Sequence, residues 1–450
     1  MFTQGKLNSS LKGLKGNLLS NGSWTVVNQF GNLLISFLVM VLMRNWLGEE
    51  DAGTFTAGFS YAFLLSQIAI FGFDNLSIRE ITKHLNKNDW STVKSYHRFT
   101  NLIVWSFSVI LTLIACVYSY LYVKENALYY ILSFLTTPFL TMLMLNQFKV
   151  LGLGFVNLAQ SPEKLLRPGL FLLSIVIVHT VIPDRETLIT ILCINVVLFI
   201  ATWFISDINF KRKANFNTSQ QTKISRSSQS NEKRRKWLYA AGGLFVYSVI
   251  GHLNGKIDIM MLDDMASDNA SISHYNSAHR FAGFVAFGTL IVNQLMGPVV
   301  STYFKSNERK KLSKIVAKSS FFSLLIGLAV FAFYILFGDW MLNFLFSRSI
   351  PEEYEVLMIT SLGYFFQVIA GSAAYLLIMD SKTSKFASIS IAIGLILNAL
   401  FNYFLIPTMG ITGAAWGTTI SLLAWCILMI IFSIRKTKIN PTCFGISLFR

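Results

Sequence analysis

The chain has 450 residues, of which 53% are hydrophobic and only 13% are charged, and its formal net charge is +16 at pH 7. Soluble domains average about 25% charged residues, so this composition excludes an ordinary soluble protein. The four cysteines show no paired spacing, which argues against both a disulfide framework and a zinc site.

About twelve apolar segments follow one another, each close to the roughly 20 helical residues that cross a bilayer core. Residues 1–23 carry scattered lysines and lack a signal-peptide pattern, so the first segment is expected to stay in the protein. The sequence therefore predicts an all-α polytopic membrane protein. The predicted spans lie near 24–47, 53–73, 99–121, 127–148, 168–183, 186–208, 237–262, 274–302, 318–338, 356–379, 386–406 and 411–433.

The placement of basic residues supports an even number of spans with both termini in the cytoplasm. With this topology, 32 of the 38 Lys and Arg residues fall in cytoplasmic regions. Such an excess is what the positive-inside rule predicts. The net positive charge is therefore explained by topology rather than by nucleic-acid binding.

The polar, basic stretch 209–236 interrupts the apolar pattern and is predicted to be a flexible cytoplasmic linker. It divides the chain into an N-lobe, residues 24–208, and a C-lobe, residues 237–433, followed by a cytoplasmic tail over 434–450. Because each lobe has six predicted helices, the two lobes keep the same orientation, as in parallel repeats.

The seventh segment contains IGHLNGKIDIMML, which places Lys256 and Asp258 inside an apolar run. On a continuous helix Asp258 shares a face with Gly251 and Gly255, whereas Lys256 lies on a different face. Arg280 lies near the start of the eighth segment, which runs antiparallel to the seventh. We therefore expect Asp258 and Arg280 to approach each other.

Short motifs along nearly the whole chain resemble those of the multidrug/oligosaccharidyl-lipid/polysaccharide (MOP) flippase superfamily, and most closely its polysaccharide transporter branch of O-antigen flippases. The motifs are Arg44-x-x-Leu47-Gly48 with Gly53, Gly72-Phe73 with Arg79-Glu80, Lys164-Leu165-Leu166-Arg167-Pro168, Asp258, Tyr275-x-x-Ala278-x-Arg280, Pro298-x-x-Ser301, and IPTMGITGAAWGTTIS over 406–421 preceded by Asn398 and Asn402.

This resemblance implies two six-helix lobes around a central cavity, as in MATE transporters, with alternating access. It also implies a bacterial inner-membrane flippase that moves undecaprenyl-diphosphate-linked oligosaccharide from the inner to the outer leaflet, with membrane lipids and other polysaccharide assembly proteins as partners. No cofactor and no metal site are expected, and H+ or Na+ is the candidate coupling ion.

Charged residues inside or beside predicted spans are the candidate site, because charge in a membrane normally meets a partner or water. Asp258 is a candidate for ion coupling or for an ion pair. Structural ion pairs, a snorkelling anchor at Arg44 and simple topology at the inner helix ends are the alternative explanations. The candidate substrate-binding cations are Arg280, Lys256, Arg44, Arg79, Lys149 and Arg167.

Uncharged polar residues in apolar runs are candidates for lining the substrate route or for hydrogen bonds between helices. The spacing of His274 and His279 does not suit a metal ion bound on one helix. The polar candidates are Asn28, Gln29, Asn146, Gln147, Asn293, Gln294, Gln367, Asn398 and Asn402.

Two other functions remain open from the sequence. A cation-coupled multidrug exporter of the same superfamily is the first, although it would be expected to carry more buried carboxylates than Asp258 alone. A membrane glycosyltransferase or polysaccharide polymerase is the second, with Asp263-Asp264 as an outer acidic pair and residues 338–355 as the longest outer loop. No Walker-type nucleotide motif occurs, so ATP is not expected to drive this chain directly.

Overall fold

The computed structural model describes residues 24, 27–85, 87–123, 126–181, 188–214, 229–266, 268–293, 309–346, 349–378 and 383–443. All regular secondary structure in these ranges is helical. The α-helices are α1 Val27–Leu47, α2 Glu49–Ile70, α3 Phe73–Leu85, α4 Trp90–Tyr122, α5 Ala127–Phe134, α6 Thr137–Gly152, α7 Val156–Ser161, α8 Arg167–Val181, α9 Leu188–Lys213, α10 Gln229–Leu253, α11 Ile257–Met265, α12 Ala270–Ala282, α13 Arg309–Leu345, α14 Pro351–Ala370, α15 Ala373–Ile378 and α16 Ser384–Phe432.

Eight helical segments of the described chain are long and apolar enough to cross a membrane. Each of the first six predicted spans coincides with one of them, and the all-α membrane fold is confirmed. The predicted count of twelve is not reproduced one for one: α16 alone covers the last two predicted spans, and the predicted spans 237–262, 274–302 and 356–379 have no counterpart among the eight segments. The eight segments are Val27–Leu47, Glu49–Ile70, Trp90–Tyr122, Ala127–Gly152, Val156–Val181, Leu188–Lys213, Lys311–Leu345 and Ser384–Thr437.

The seventh predicted span is not a continuous helix. Helix α10 ends at Leu253 and α11 begins at Ile257, with turn backbone between them. The expectation that Gly251, Gly255 and Asp258 share one helical face is therefore wrong. Backbone that leaves the helix at membrane depth is tolerated where it is buried in protein or lines a water-filled cavity.

Helix α16 contains a sharp kink at the boundary predicted between the last two spans. Pro407 lies inside the helix, and Gly410 has φ 57° and ψ −131°, which favours glycine over other residues. The two arms approach so closely that a Cβ on Gly413 would lie 2.3 Å from the carbonyl oxygen of Leu405. Gly413 of the final motif is therefore required by this backbone contact.

The predicted linker is shorter than the sequence suggests. Helix α9 runs to Lys213 and α10 starts at Gln229, so both ends of the predicted stretch 209–236 are helical. Seven of the nine lysines and arginines that the sequence assigned to this loop lie on these two helices, and residues 215–228, which contain the other two, lie outside the described residues.

Two compact units divide the described residues. The first contains the residues up to Leu42 together with Tyr61–Val249, and the second contains Met43–Ser60 together with the residues from Ile250 onward. The predicted N-lobe includes residues 43–60, which belong to the second unit. The predicted C-lobe includes residues 237–249, which belong to the first unit.

In the first unit α6 packs against α3, α4 and α9. The turn before α3 is fixed by Gly72, whose φ is 75° and whose added Cβ would lie 2.3 Å from the carbonyl oxygen of Ala241. Nearby, the indole of Trp237 donates a hydrogen bond to Glu80, and Ser248 donates one to Asp74. Gly72 and Glu80 of the predicted motif therefore take part in packing within the first unit.

In the second unit α14 and α16 form the most extensive helix pair, and α11 and α12 both pack against α16. The start of α2 lies against the turn before α12, where a Cβ on Gly53 would overlap the carbonyl oxygen of Asn269 at 1.8 Å. Gly53 is therefore required for this close approach. The packing of α11, α12 and α16 brings together the residues that form the candidate site.

Candidate substrate and ion site

The candidate site lies in the second unit, where α11, α12, α14 and α16 meet. Asp258, on the first turn of α11, is buried and accepts a hydrogen bond from the amide nitrogen of Asn402 at 2.8 Å. Asn398 and Asn402 are also buried, and their Oδ1 atoms have no hydrogen-bond partner among the described residues. These atoms form an acid–amide group, which we define as Asp258, Asn398 and Asn402.

Gly417, in the second arm of α16, makes room for this group. A Cβ at this position would lie 2.0 Å from Oδ1 of Asn402 and 3.3 Å from Oδ1 of Asn398. The next residue, Thr418, shares a hydrogen bond with the hydroxyl of Tyr275 at 3.0 Å. The final motif therefore contributes both the space and a polar contact to the site.

An aromatic–histidine group adjoins the acid–amide group. The ring of His279 stacks on Tyr275 with centroids 5.3 Å apart, and its Nε2 lies 3.1 Å from the hydroxyl of Tyr364. From the sequence, His279 was considered only as a metal ligand, and Tyr364 was not predicted as a site residue. Tyr275 and His279 are four residues apart on one helix, and this spacing could have predicted that their rings lie on the same face.

Lys256 occupies the break between α10 and α11, where its half-exposed side chain does not cap α11. It lies within electrostatic range of both Arg280 and Asp258. The ammonium group of Lys256 and the partial positive charge of the α11 N-terminus therefore lie at the same break.

Arg280 is exposed, although most of α12 is buried, and its Nε donates to Oδ1 of Asn276 at 3.3 Å. Across the part of the chain that the structure describes, Arg280 and Asp258 form no ion pair. The predicted approach of these two residues does not produce an ion pair, and the Asn402 amide binds the carboxylate instead.

The predicted cations of the first unit are Lys149, Arg167 and Arg79, and they have different surroundings. Lys149 is buried and donates to Oδ1 of Asn101, with Nδ1 of His97 at 3.4 Å. The guanidinium of Arg167 lies over the ring of Phe199, 4.5 Å from its centroid. Arg79 is exposed on α3.

Arg44 is not a snorkelling anchor. It is only 3% exposed, and it forms ion pairs with Glu353 and with Glu49, the latter at 3.2 Å. Its guanidinium also lies 4.2 Å from the ring centroid of Phe346. His274 and Glu353, which complete this group, were not selected from the sequence, because they are far apart along the chain and Glu353 was assigned to an outer loop.

The uncharged polar candidates are dispersed among the helices. Asn28, Asn146 and Gln147 are buried in the first unit, where both side-chain polar atoms of Asn146 have no partner among the described residues. Gln29, Asn293 and Gln367 are half-buried. Gln294, together with the predicted motif residues Pro298 and Ser301, lies outside the described residues.

Comparison with known proteins identifies the family. The sequence model described as "Polysaccharide biosynthesis protein" matches residues 18–304. An uncharacterized membrane protein of Methanocaldococcus jannaschii is 22% identical over 87% of this chain and 79% of its own length. The capsular polysaccharide biosynthesis protein CapF of Staphylococcus aureus is 22% identical over 90% of this chain and 96% of its own.

Solved structures show the same fold. An inward-facing multidrug resistance MATE transporter of the MOP superfamily matches with a TM-score of 0.69 at 14% identity, covering 90% of this chain and 94% of that one. The lipid II flippase MurJ, in an inward closed conformation, matches with a TM-score of 0.68 at 14% identity, covering 90% and 86%. The predicted MATE-like fold is confirmed, and the chain belongs to the polysaccharide biosynthesis protein family of multi-pass membrane proteins.

Proposed function

We propose that this protein is a flippase that moves an undecaprenyl-diphosphate-linked oligosaccharide, such as an O-antigen repeat unit, from the inner to the outer leaflet of the bacterial inner membrane by alternating access. Its family and its similarity to CapF, a capsular polysaccharide biosynthesis protein, support a role in polysaccharide biosynthesis. The observation that carries the substrate class is a pair of cations, Lys256 at the helix break and Arg280 on the last turn of α12.

These two cations interact electrostatically, and neither forms an ion pair with a carboxylate among the described residues. Each is within electrostatic range of the other, while the nearest acid, Asp258, is engaged by Asn402. Like charges held at membrane depth repel each other, and an anion between them relieves that repulsion. A diphosphate suits this arrangement, because a guanidinium matches phosphate oxygens with two parallel hydrogen bonds and an ammonium adds a point charge.

The acid–amide group is our proposed site for the coupling ion. It offers the carboxylate of Asp258 and two buried amide oxygens, and oxygen ligands of this kind suit a hard cation such as Na+. H+ is the alternative, since Asp258 can itself take up a proton. The ion would neutralise Asp258 without using Lys256 or Arg280, so ion binding and diphosphate binding have separate residues.

Binding to the protein in lipid nanodiscs tests the substrate class. The ligands are undecaprenyl diphosphate carrying an oligosaccharide, undecaprenol without phosphate, and a cationic dye. We expect binding of the diphosphate alone, and a loss of at least about tenfold in affinity for both Lys256→Met and Arg280→Met, since each removes a charge-assisted contact of about 1.5–3 kcal/mol. Lys236→Met, which removes a 73%-exposed lysine of α10, is the matched control.

Each alternative function gives a different result. Binding and export of the dye without binding of the lipid diphosphate would identify a drug exporter and overturn the proposal. Formation of new glycosidic bonds by the purified protein, abolished in an Asp263→Ala/Asp264→Ala double variant, would identify an enzyme.

The coupling site is tested with Asp258→Asn in proteoliposomes that contain a fluorescent lipid-linked oligosaccharide. We expect this variant to bind the lipid normally but to lose the acceleration of flipping by an imposed Na+ or H+ gradient. An unchanged response to both gradients would exclude Asp258 as the coupling residue, while leaving the substrate class standing.

A further inference from the structure

A row of polar side chains lies on one face of a membrane segment in the first unit. The segment Val156–Val181 is apolar enough to cross a membrane, and its first turns contain Asn157, Gln160, Ser161 and Lys164, which we define as the polar stripe. Neighbouring members of the stripe are three or four positions apart, a spacing that places side chains on the same face of a helix. All four residues are half-buried. Polar residues inside a membrane segment normally face protein or a water-filled cavity rather than lipid.

The backbone of this segment leaves the α-helical geometry within the polar stripe. Pro162–Leu166 forms a π-helical turn between α7 and α8, and such turns inside longer helices occur frequently at functional sites. The turn also carries Glu163, which interacts electrostatically with Lys164. Because the acid offsets the charge of Lys164, the polar stripe offers mainly neutral hydrogen-bonding groups.

Helix α1 packs directly against the segment that bears the polar stripe. An added Cβ on Gly31 would lie 2.6 Å from Cδ2 of Leu165, so the missing side chain of Gly31 allows this close approach. The first and fifth predicted spans run in the same direction through the membrane. Asn28, three residues before Gly31, therefore lies on the face of α1 that is turned toward this segment, at about the level of Ser161.

Three polar atoms at this helix contact have no hydrogen-bond partner among the described residues. They are Nδ2 of Asn28, Oδ1 of Asn157 and Oε1 of Gln160. Asn28 is only 1% exposed, so bulk water does not compensate for the missing partner of its amide. Buried polar groups usually find a partner in protein, water or a ligand, because leaving them unpaired costs free energy. One donor and two acceptors together match a hydroxyl group, which both donates and accepts.

We propose that the polar stripe and Asn28 form a subsite for the saccharide part of the transported lipid, in which the amides of Asn28, Asn157 and Gln160 exchange hydrogen bonds with sugar hydroxyls. This inference rests on the proposed function, because a lipid-linked oligosaccharide is its ligand. A phosphate group would favour unpaired cations, and a cationic drug would favour carboxylates. Neutral amides next to a hydroxyl suit a saccharide better than either.

Binding of two lipids to the full-length protein in nanodiscs tests the subsite. One lipid is undecaprenyl diphosphate carrying the oligosaccharide, and the other is undecaprenyl diphosphate without sugar. We expect the wild type to bind the glycosylated lipid more tightly. Asn28→Leu and Gln160→Leu should each lower that affinity by about three- to tenfold, the usual effect of one lost hydrogen bond, and leave the affinity for the bare lipid unchanged. Asn75→Leu, at an exposed amide of α3, is the matched control and should change neither affinity.

The two lipids separate this inference from the proposed function. Equal affinity of the wild type for both lipids would overturn the saccharide subsite and leave diphosphate binding standing. Unchanged affinity of both variants for the glycosylated lipid would have the same meaning. Failure of the wild type to bind either lipid would overturn the proposed function and the subsite together.

Thermal stability without ligand distinguishes a binding role from a hydrogen bond between helices. Leucine is close in size to these amide side chains but has no polar atom. Replacing an amide whose hydrogen bonds are incomplete should therefore leave the melting temperature unchanged or raise it. A lower melting temperature of both Asn28→Leu and Gln160→Leu, with Asn75→Leu unaffected, would show that the amides join helices and would overturn the assignment.

Photo-cross-linking of the wild-type protein keeps the test decisive if a variant fails to fold. A glycosylated lipid with a photoreactive diazirine on its sugar should label peptides from α1 and α7. An excess of the unlabelled glycosylated lipid should suppress this labelling. Labelling confined to other helices would overturn the proposal.

Discussion

Asn402 donates a hydrogen bond to Asp258 at 2.8 Å, and the two residues are 144 positions apart in the chain. This contact holds the carboxylate on α11 against α16. It also leaves Lys256 and Arg280 without an ion pair to Asp258 among the described residues. Asp258 is therefore held by a hydrogen bond from a neutral amide rather than by a salt bridge.

Gly417→Ala should displace this amide. The new methyl group would lie 2.0 Å from Oδ1 of Asn402, a separation that non-bonded atoms do not tolerate. We expect the variant to lose ion-stimulated flipping and about 1–3 kcal/mol of stability, since Asp258 would lose its buried hydrogen-bond donor. Thermal unfolding and the proteoliposome assay measure the two effects.

Gly169→Ala is the matched control for that substitution. Gly169 also lies in a helix, but no atom lies within 4 Å of its added Cβ. Alanine favours a helix over glycine by up to about 1 kcal/mol, so this control should be as stable as the wild type or slightly more stable. Wild-type coupling in Gly417→Ala would show that the Asn402 contact is dispensable.

The N-cap of α4 predicts a pH effect on stability at acidic pH. Asp89 accepts a hydrogen bond from the backbone of Thr92 at 3.1 Å. Partial burial raises its pKa, but hydrogen bonds from Thr92 and Ser91 and the nearby His84 outweigh burial and lower the pKa to about 2 from its usual 3.8. A lowered pKa means that this stabilisation is present above about pH 4 and is lost as the pH falls toward 2.

Asp89→Ala should therefore cost about 1 kcal/mol at neutral pH, as removal of an N-cap usually does, and much less at acidic pH. Asp89→Ser keeps a capping oxygen that does not titrate, so it should retain most of the stability without that acidic decline. Thermal melts between about pH 3 and pH 7 provide the comparison, because this range extends on both sides of the usual pKa of an aspartate. An equal cost of Asp89→Ala at both ends of this range would contradict the assigned role of the carboxylate.

The contact between Trp237 and Glu80 should stabilise the first unit. The indole nitrogen donates to Oε2 of Glu80 at 3.2 Å, and the ring packs edge-on against Tyr96 with centroids 5.0 Å apart. Trp237→Phe keeps an aromatic ring but leaves the carboxylate without this donor, so we expect a loss of about 1–2 kcal/mol. Trp340→Phe, at a tryptophan that is 61% exposed, should change the melting temperature far less.

Much of the fold was predictable from the sequence, because hydropathy and charge asymmetry follow directly from the cost of placing polar groups in lipid. The sequence did not predict the break at Asn254–Lys256. The residues IGHLNGKIDIMML contain no proline, and apolar periodicity alone does not distinguish a continuous helix from one interrupted by a single turn. Two glycines and two charges in this stretch were the only local signs.

The candidate site was predictable in its members but not in its pairings. Asp258, Lys256 and Arg280 stood out because charge is rare in apolar segments. Their partners are neutral residues, such as Asn402 on a distant helix for Asp258 and Asn276 for Arg280, and such neutral contacts leave no periodic pattern in a single sequence. The contacts of Arg44 with Glu353 and His274 were missed for a related reason, since these residues come together only when distant helices pack.

Lys149 has a structural role in addition to the topological role that the sequence predicts. The sequence explains a lysine at this inner helix end by the positive-inside rule, yet its side chain is fully buried and its Nζ contacts Asn101 and His97. The nearby acid Asp207 is paired with Lys211 at 2.6 Å. A buried charge without its own ion pair costs several kcal/mol of desolvation, which two neutral hydrogen bonds offset only in part.

Lys149→Met should therefore be at least as stable as the wild type, because methionine fills a similar volume without a charge, and this gain outweighs the loss of the hydrogen bonds to Asn101 and His97. Lys83→Met, at an exposed lysine on α3, controls for the loss of one cytoplasmic positive charge. Thermal unfolding in detergent compares the variants, and cysteine accessibility at the cytoplasmic ends reports their orientation. A clear fall in melting temperature for Lys149→Met, with Lys83→Met unchanged, would show that the ammonium group is a required part of the core of the first unit.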